Sequence, residues 1–362
     1  MAELVVHPDT RFIQEIVRDG GPDLKKCYQC ATCSTVCALS PEDSPFPRRQ
    51  ILQAQWGLKE QVLSDPAIWL CHNCGDCSEH CPRGVRPGDV LGALRQKAIE
   101  HFAWPGFLAR LINNPKALFV WVLIPVLLFG LQWAIGPEGV SHTGEPEFAQ
   151  EYPLWLLEAL FFTLCGLVVV AFAVSMARFV KALRAAGARE PILSNLVPVI
   201  AETLAHRRFA ECTAERNRYR GHLLLLWGFV GLAVVGTLIG LGVMGGVVTT
   251  PLSQTNPLKI FANLSGLAAL AGALILLADR WKNPDKRAHS TYFDWYLIAV
   301  LTGVLATGFL SQIFRELEWA AMYPVYFVHL VLVFMLLVYA PYSKLAHLAY
   351  RTVALAASSG RR

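Results

Sequence analysis

Two runs of cysteines share the spacing Cys-x2-Cys-x2-Cys-x3-Cys. They are Cys27, Cys30, Cys33 and Cys37, followed by Cys71, Cys74, Cys77 and Cys81, each 44 residues after its counterpart. Three thiolates at i, i+3 and i+6 on one tight loop can bind one side of a cubane cluster, and the fourth must come from elsewhere. The pattern therefore predicts two iron-sulfur clusters and a chain that carries electrons.

The two runs are expected to share their ligands. In the two-cluster bacterial arrangement, the last cysteine of each run binds the cluster of the other run. Applied here, that puts Cys27, Cys30, Cys33 and Cys81 on one [4Fe-4S] cluster, and Cys71, Cys74, Cys77 and Cys37 on the second. Zinc usually binds two separated cysteine pairs. Disulfides need an oxidising compartment, and the charged amino-terminal segment lacks the hydrophobic region of a secretory signal. Both alternatives therefore fit the pattern less well.

The remainder of the chain is too apolar for an ordinary soluble protein. Hydrophobic residues make up 54% of its 362 residues and charged residues only 16%, and long apolar runs begin near Ala117. Near-continuous apolar stretches of about 20 residues predict membrane-spanning helices. We expect six of them, at 117–135, 154–177, 222–247, 258–278, 292–313 and 322–343.

The charged residues between these spans predict the orientation. Lysine and arginine concentrate between the second and third spans and between the fourth and fifth, whereas 136–153 carries four glutamates and 248–257 carries no charge. Loops rich in Lys and Arg stay on the cytoplasmic side. We therefore expect an inner-membrane protein whose termini and cysteine-rich part are both cytoplasmic. The net charge of +5 is explained by these loops and gives no reason to expect nucleic-acid binding.

Histidines near the spans are candidates for haem ligands, because an ionisable residue in a bilayer is costly and usually functional. His222 opens the third span and His347 lies just beyond the sixth, both at the predicted cytoplasmic depth, so they form the natural axial pair for an inner haem b. His329 lies in the outer half of the sixth span, about 27 Å from His347 if the helix is regular. An outer haem on His329 needs a second ligand, for which His142 in the outer loop is the candidate. Each histidine is alternatively an interfacial residue hydrogen-bonded to a neighbouring helix.

Glu158 is the most deeply immersed acidic residue, about one turn inside the outer end of the second span. It is a candidate proton relay for quinol oxidation. The alternative is that its carboxylate reaches back to the interface without a catalytic role.

The sequence thus predicts an all-α protein in which a helical two-cluster ferredoxin-like domain precedes a six-helix transmembrane cytochrome b bundle. The expected divisions are a cytoplasmic domain at 1–103, an amphipathic linker at 104–116, the membrane domain at 117–350 and a cytoplasmic tail at 351–362.

The cysteine segments resemble those of a known family. Residues 27–34 (CYQCATCS) and 71–82 (CHNCGDCSEHCP) resemble the small iron-sulfur subunit of heterodisulfide reductases, and the last five spans resemble the cytochrome b subunit of respiratory nitrate reductase. The fusion of the two is the layout of the C subunit in the quinone-interacting membrane-bound oxidoreductase (Qmo) family, which the segments 44–58 and 64–71 also resemble. In the nitrate reductase subunit the helix that matches the third span carries a second haem histidine ten residues on, where this chain has Leu232.

The resemblance implies electron transfer between menaquinone and cytoplasmic partners through haem b and the two clusters. Those partners would be flavin-containing iron-sulfur subunits of the same complex, serving adenylylsulfate reductase in dissimilatory sulfur metabolism. Two alternatives remain: a membrane module of a heterodisulfide reductase or sulfite pathway, and a membrane redox sensor or scaffold without quinone turnover.

Overall fold

The computed structural model describes residues 7–41, 44–135, 148, 152–206 and 216–358, and every regular element in these ranges is helical. The all-α prediction is therefore confirmed. The helices are α1 Thr10–Arg18, α2 Thr32–Thr35, α3 Arg48–Gln55, α4 Lys59–Leu63, α5 Asp76–Glu79, α6 Pro87–Phe102, α7 Gly106–Ile112, α8 Leu118–Ile135, α9 Leu154–Ala185, α10 Ile192–Leu204, α11 Arg216–Met244, α12 Pro257–Lys282, α13 Pro284–Ala288, α14 Tyr292–Glu316, α15 Met322–Val338 and α16 His347–Ser358.

Short helices pack around the cysteine runs. Helix α1 begins where the Asp9 carboxylate accepts a hydrogen bond from the backbone N–H of Phe12, which satisfies one of the unpaired donors at its first turn. Its apolar face buries Phe12 and Ile16. Helix α6 contacts α1, α3, α4 and α5, and most of its length is buried. These contacts hold the two cysteine loops at fixed positions on a common helical core.

Within the described ranges, five helices are long and apolar enough to cross a membrane, judged by length and composition, and they correspond to α8, α9, α11, α12 and α14. The sixth expected span is shorter than predicted, because α15 ends at Val338 after 17 residues. A 17-residue helix is about 26 Å long, which is at the lower limit for a bilayer core.

His329 and His347 do not lie on one regular helix, so the condition for a separation of about 27 Å is not met. After Val338 the chain forms two short 3-10 turns, Ala340–Tyr342 and Lys344–Ala346, and a new helix begins at His347. Pro341 lies in the first turn, where its missing N–H breaks the helical hydrogen-bond pattern. The Tyr342 hydroxyl donates to the Trp104 carbonyl at 3.1 Å, and the Asn113 amide donates to the Tyr342 carbonyl at 2.9 Å. Contacts with the linker therefore hold the turn in place.

Small residues bring α11 and α12 into close contact. A Cβ atom on Gly228 would lie 2.5 Å from the backbone nitrogen of Ala269, and one on Gly272 would lie 2.5 Å from the carbonyl oxygen of Gly221. Neither space admits a side chain. Close backbone approach at small residues is a common way for membrane helices to associate, and here it fixes the helix that carries His222.

The cysteine-rich part and the membrane helices share one hydrophobic core. Trp69, two residues before Cys71, stacks on Tyr350 of α16 with ring centres 5.3 Å apart and planes 12° apart. Phe179 of α9 packs against both rings, at 6.2 Å and 5.1 Å. Helix α16 runs across the expected boundary at residue 350, and Ala354 to Ala357 are buried. The segment from 351 to 358 is thus part of the packed structure.

Candidate functional site

The two cysteine loops have the same backbone conformation. Gln29 and Ala31 have φ of 66° and 70°, and the residues 44 positions later, Asn73 and Gly75, have φ of 55° and 97°. Three of these four are not glycine, so the left-handed conformation is costly. It turns each loop sharply before α2 and α5, which contact each other. The duplication seen in the spacing of cysteines thus extends to their loops.

The first predicted ligand set lines one pocket that is partly open to solvent. Cys27, Cys30, Cys33 and Cys81 all line it, together with Arg48 and Arg83. The pocket therefore joins three thiols of the first run with the last thiol of the second. Four convergent thiols beside two guanidinium groups suit a thiolate-ligated, negatively charged cluster.

The second predicted set is also close together. Burial is the main cause that raises the pKa of Cys37 to about 11, and the neighbouring thiolates of Cys71 and Cys74 act in the same direction. Burial likewise raises the pKa of Cys77, with Cys71, Cys74 and Cys37 as its nearest charged neighbours. Cys37 thus lies among thiols of the second run. A buried thiol of raised pKa becomes a thiolate readily when a metal binds it, because the metal supplies the compensating charge.

In the described part of the chain no three His, Cys, Asp or Glu side chains converge tightly enough to hold one metal ion. A single zinc ion draws its sulfur ligands to about 2.3 Å from one centre. A cubane is larger, so its thiolates stay further apart.

His222 and His347 face each other at the end of the bundle nearest the cysteine loops. Their ring centres lie 6.4 Å apart, with the planes at 75°. Two imidazoles on opposite sides of one iron have ring centres about 6 Å apart, because each metal–nitrogen bond is about 2 Å long and the ring centre lies about 1 Å further. The spacing of this pair therefore fits bis-histidine ligation of a haem.

The Nδ1 atom of each of these two histidines is within hydrogen-bond distance of a neighbouring group. His347 Nδ1 lies 2.6 Å from the Lys344 carbonyl oxygen, and His222 Nδ1 lies 2.8 Å from His206 Nε2. In the tautomers where each Nδ1–H donates, Nε2 is the nitrogen that would bind iron. A hydrogen bond on the ring nitrogen that does not bind the metal is the usual way to orient a metal-binding histidine.

His206 is the residue that the sequence did not single out. It follows α10, has φ of 53°, and its Nδ1 lies 3.2 Å from the Leu204 carbonyl oxygen. A chain of hydrogen bonds thus runs from His222 through His206 to the backbone. Burial lowers the pKa of His206, which favours the neutral ring whose Nε2 can accept a hydrogen bond from His222 Nδ1–H. The only sequence signal was a histidine 16 residues before His222.

Charged groups lie near the histidine pair. Lys344 forms an ion pair with Asp294 at the start of α14, and Arg280 lies over the Trp295 ring, 5.6 Å from its centre. Arg218 donates a hydrogen bond to the Asn73 carbonyl at 2.8 Å. Three cationic side chains that could contact the carboxylates of a haem are therefore held near the site by these contacts.

The outer histidine has different surroundings. His329 Nδ1 lies 3.0 Å from the Thr307 hydroxyl of α14, and its ring stacks on Tyr326 with centres 6.4 Å apart. A Cβ on Gly308 would lie 3.1 Å from the His329 ring, so the imidazole packs directly on the neighbouring helix. These contacts suit a histidine at a helix interface. His142, its expected partner, lies outside the described residues, and Glu158 is half-buried in the second turn of α9.

Two family models match separate parts of the chain. Residues 23–85 match the 4Fe-4S dicluster domain, which includes all eight cysteines of the two runs. Residues 214–323 match the nitrate reductase gamma subunit, which is a cytochrome b-like helical protein; the matched segment includes His222 and α11 to α14. The chain therefore joins a dicluster domain to a helical membrane domain of the nitrate reductase gamma type.

Curated relatives match about a quarter of the chain. The chain is 41% identical over 102 residues to the C subunit of the H(2):CoB-CoM heterodisulfide,ferredoxin reductase of Methanothermobacter thermautotrophicus, a match that covers 28% of this chain and 52% of the relative. It is 33% identical over 93 residues to a protein of Archaeoglobus profundus that is named for its likeness to the heterodisulfide reductase C subunit, covering 25% and 50%. The chain thus spans about half the length of these relatives.

Proposed function

We propose that this chain is the membrane electron-transfer subunit of a quinone-linked oxidoreductase, and that it passes electrons between menaquinone and cytoplasmic flavin and iron-sulfur subunits. One observation carries the proposal: the His222–His347 pair lies on the helices that also contact the loop of the second cysteine run. A haem and two clusters bound at these sites would lie one after another on a short electron-transfer path. The expected location is the inner membrane, with both termini in the cytoplasm.

We assign the groups to residues as follows. Cys27, Cys30, Cys33 and Cys81 hold one [4Fe-4S] cluster, Cys71, Cys74, Cys77 and Cys37 hold the second, and His222 with His347 holds a single haem b through their Nε2 atoms. Haem and clusters each supply one-electron chemistry. The pocket lined by the first set and the ring spacing of the histidine pair support these assignments.

Quinol oxidation releases two electrons and two protons, so the protein must accept electrons singly and provide a base. We propose Glu158, a carboxylate within the apolar helix α9, as the proton acceptor for a quinol bound at its own end of the bundle; with a single haem at the other end, the quinone would instead bind close to that haem. We propose a single haem because packing of His329 against Thr307, Gly308 and Tyr326 explains this residue without a second haem. The role of His329 would then be to pack α14 against α15.

The resemblance to the C subunit of the Qmo family points to dissimilatory sulfur metabolism. In that setting the soluble partners would be flavin-containing subunits that serve adenylylsulfate reductase. Electrons would run from quinol in sulfate reducers and toward quinone in sulfur oxidisers, because the same chain of one-electron centres works in both directions.

The names of the curated relatives favour a second candidate, a membrane module for a heterodisulfide-linked enzyme. Its redox centres would be the same, but its partner would reduce a disulfide. The chain would not do that chemistry alone, because beyond the eight motif cysteines it has only Cys165 and Cys212, which form no further cluster motif. A redox sensor without quinone turnover is the candidate of another class.

Reduction by a quinol analogue tests the proposal. Purified protein is mixed anaerobically with menadiol, and the absorption bands of reduced haem b are recorded before and after dithionite. We expect menadiol to reduce the haem and, through it, the clusters. In a His347→Ala variant, which should lose the haem, dithionite should still reduce the clusters but menadiol should not. A wild-type haem that dithionite reduces and menadiol does not would rule out quinone turnover and favour the sensor.

A further inference from the structure

Each haem-site helix carries an arginine one helical turn from its histidine. Arg218 precedes His222 by four residues in α11, and Arg351 follows His347 by four residues in α16. Residues four apart in a helix lie on the same face. Each arginine therefore projects from the same face of its helix as the histidine that we assign to haem.

Both arginines donate to the backbone of the second cysteine loop. Arg351 donates to the carbonyls of Cys71 at 3.2 Å and Leu70 at 3.3 Å, and it also contacts the His72 ring at 3.1 Å. Arg218 donates to the Asn73 carbonyl at 2.8 Å. Four consecutive residues around the first ligand of the second run are thus held from the two histidine helices.

The cytoplasmic part holds the same loop from the other side. Arg95 of α6 donates to the carbonyls of Ile68 at 3.2 Å and Cys71 at 3.3 Å, so Cys71 accepts from guanidinium groups of both parts. Trp69 is 1% exposed and Tyr350 is completely buried where they stack. The second loop is therefore the point of attachment between the two parts.

The first loop differs at the equivalent positions. Trp69 and Leu70 correspond to Lys25 and Lys26, which are exposed, and His72 corresponds to Tyr28, which is 58% exposed. Cys30 is exposed whereas its counterpart Cys74 is half-buried. Two copies of one loop thus have opposite environments: one is held against the membrane helices and the other faces outward.

We propose that Arg218 and Arg351 are positioning residues that fasten the second cysteine loop to the haem-binding helices. Thiolates of the second run then face the haem site, and those of the first run face the soluble partner. The inference rests on the proposed function for the haem, but it adds an order: the cluster on Cys71, Cys74, Cys77 and Cys37 is proximal and the other is terminal. The transfer between centres moves one electron and breaks no bond.

A redox titration followed by electron paramagnetic resonance tests this order. The two cluster signals are first assigned with Cys30→Ser and Cys74→Ser. The double variant Arg218→Gln, Arg351→Gln is then titrated beside Arg220→Gln, whose arginine is exposed on the same helix. Removing two positive charges near a cluster disfavours its more negative reduced state. We expect a lower midpoint potential for the second-run cluster only, no change in Arg220→Gln, and partial recovery with lysine at both positions.

Other results of the redox titration would contradict the proposed order of the clusters. An equal shift of both clusters, or a shift of the first-run cluster alone, would overturn the proposed order. Because dithionite performs the titration, the result does not depend on quinol; a failure of menadiol to reduce the haem would count against the proposed function and leave this inference standing.

Hydrogen exchange of the wild-type protein provides a test that needs no variant. The backbone amides of residues 69–73 should exchange more slowly than those of residues 25–29, because only the second loop is held from two sides. Equal protection of the two loops would contradict the attachment.

Discussion

The ability of His222 to bind iron depends on which ring nitrogen carries its proton. Its Nδ1 lies 2.8 Å from His206 Nε2, and His206 in turn lies 3.2 Å from the Leu204 carbonyl oxygen. When each Nδ1–H donates along this chain, His222 Nε2 gains electron density and would stabilise the oxidised state of an iron bound to it. His347 has a simpler arrangement with one backbone acceptor, the Lys344 carbonyl.

Replacing His206 by alanine should therefore raise the haem midpoint potential. One hydrogen bond contributes about 1 kcal/mol, equivalent to roughly 40 mV for a one-electron couple. Haem content should stay near that of wild type, because both axial ligands remain. The potential is read by optical redox titration.

His289→Ala is the matched control for that substitution. His289 also bonds a backbone carbonyl through Nδ1, that of Asp285, but it lies in the turn between α13 and α14, away from the hydrogen-bond chain. An unchanged potential in His206→Ala, or an equal rise in both variants, would show that His206 does not act through His222.

Some residues of the site are predictable because chemistry fixes their spacing. The cysteines follow such a rule, since a loop that presents three thiolates to one cluster permits few separations. His206 follows none: it meets His222 through the packing of the end of α10 against α11, and sequence spacing does not report such a contact. Arg218 and Arg351 also follow no such rule, because the carbonyls that accept their hydrogen bonds lie 145 and 280 residues away.

At the level of whole elements, the position of His222 depends on how closely α11 approaches α12. The backbone carbonyl of Gly221, adjacent to His222, would lie 2.5 Å from a Cβ on Gly272. A hydrophobic effect does not drive helices together inside a bilayer, so close packing of small residues and hydrogen bonds does so instead.

Gly272→Leu should separate the two helices and disturb the haem site. Overpacking a close contact costs about 1–3 kcal/mol, so we expect a lower melting temperature and reduced haem content at unchanged non-haem iron. Gly236→Leu on α11 is the control, because nothing lies within 4 Å of a Cβ at that position. Equal haem content in the two variants would contradict a role for this contact in placing His222.

Apolar runs predicted the membrane helices well, with one exception. Five of the six runs form membrane-length helices in the described part of the chain, whereas the sixth ends at Val338 although the apolar sequence continues. There the Tyr339 hydroxyl donates to the Trp121 carbonyl at 3.0 Å, and Tyr342 and Asn113 hold the following turn. Pro341 marks the break in the local sequence, whereas the tertiary contacts with the linker and α8 that hold the following turn are not encoded by any local pattern.

For the whole molecule, the main consequence is that the cysteine-rich part and the bundle are joined through a common core. Trp69, Phe179 and Tyr350 come from the first part, α9 and α16 respectively. The boundary expected at residue 103 falls where Ser175 of α9 accepts a hydrogen bond from the Trp104 backbone at 3.0 Å. Sequence composition indicates two kinds of segment, but it does not show how they dock.

The orientation of the molecule is open to direct measurement. In a Cys165→Ser, Cys212→Ser background, Ser253→Cys should react with a membrane-impermeant maleimide added to intact spheroplasts, and Arg287→Cys should react only in inverted vesicles. Both positions are exposed, so access depends on the membrane side. The reverse labelling pattern would place the clusters outside and contradict a cytoplasmic partner.

The cofactor content of the purified full-length chain tests the series of redox centres most directly. Protohaem is measured as the pyridine haemochrome, and non-haem iron and acid-labile sulfide are measured on the same sample. We expect one haem b and about eight non-haem irons with eight sulfides per chain, as two cubanes require. About four non-haem irons, or no haem, would contradict the series; two haems would show that His329 has found an axial partner and that the single-haem assignment is wrong.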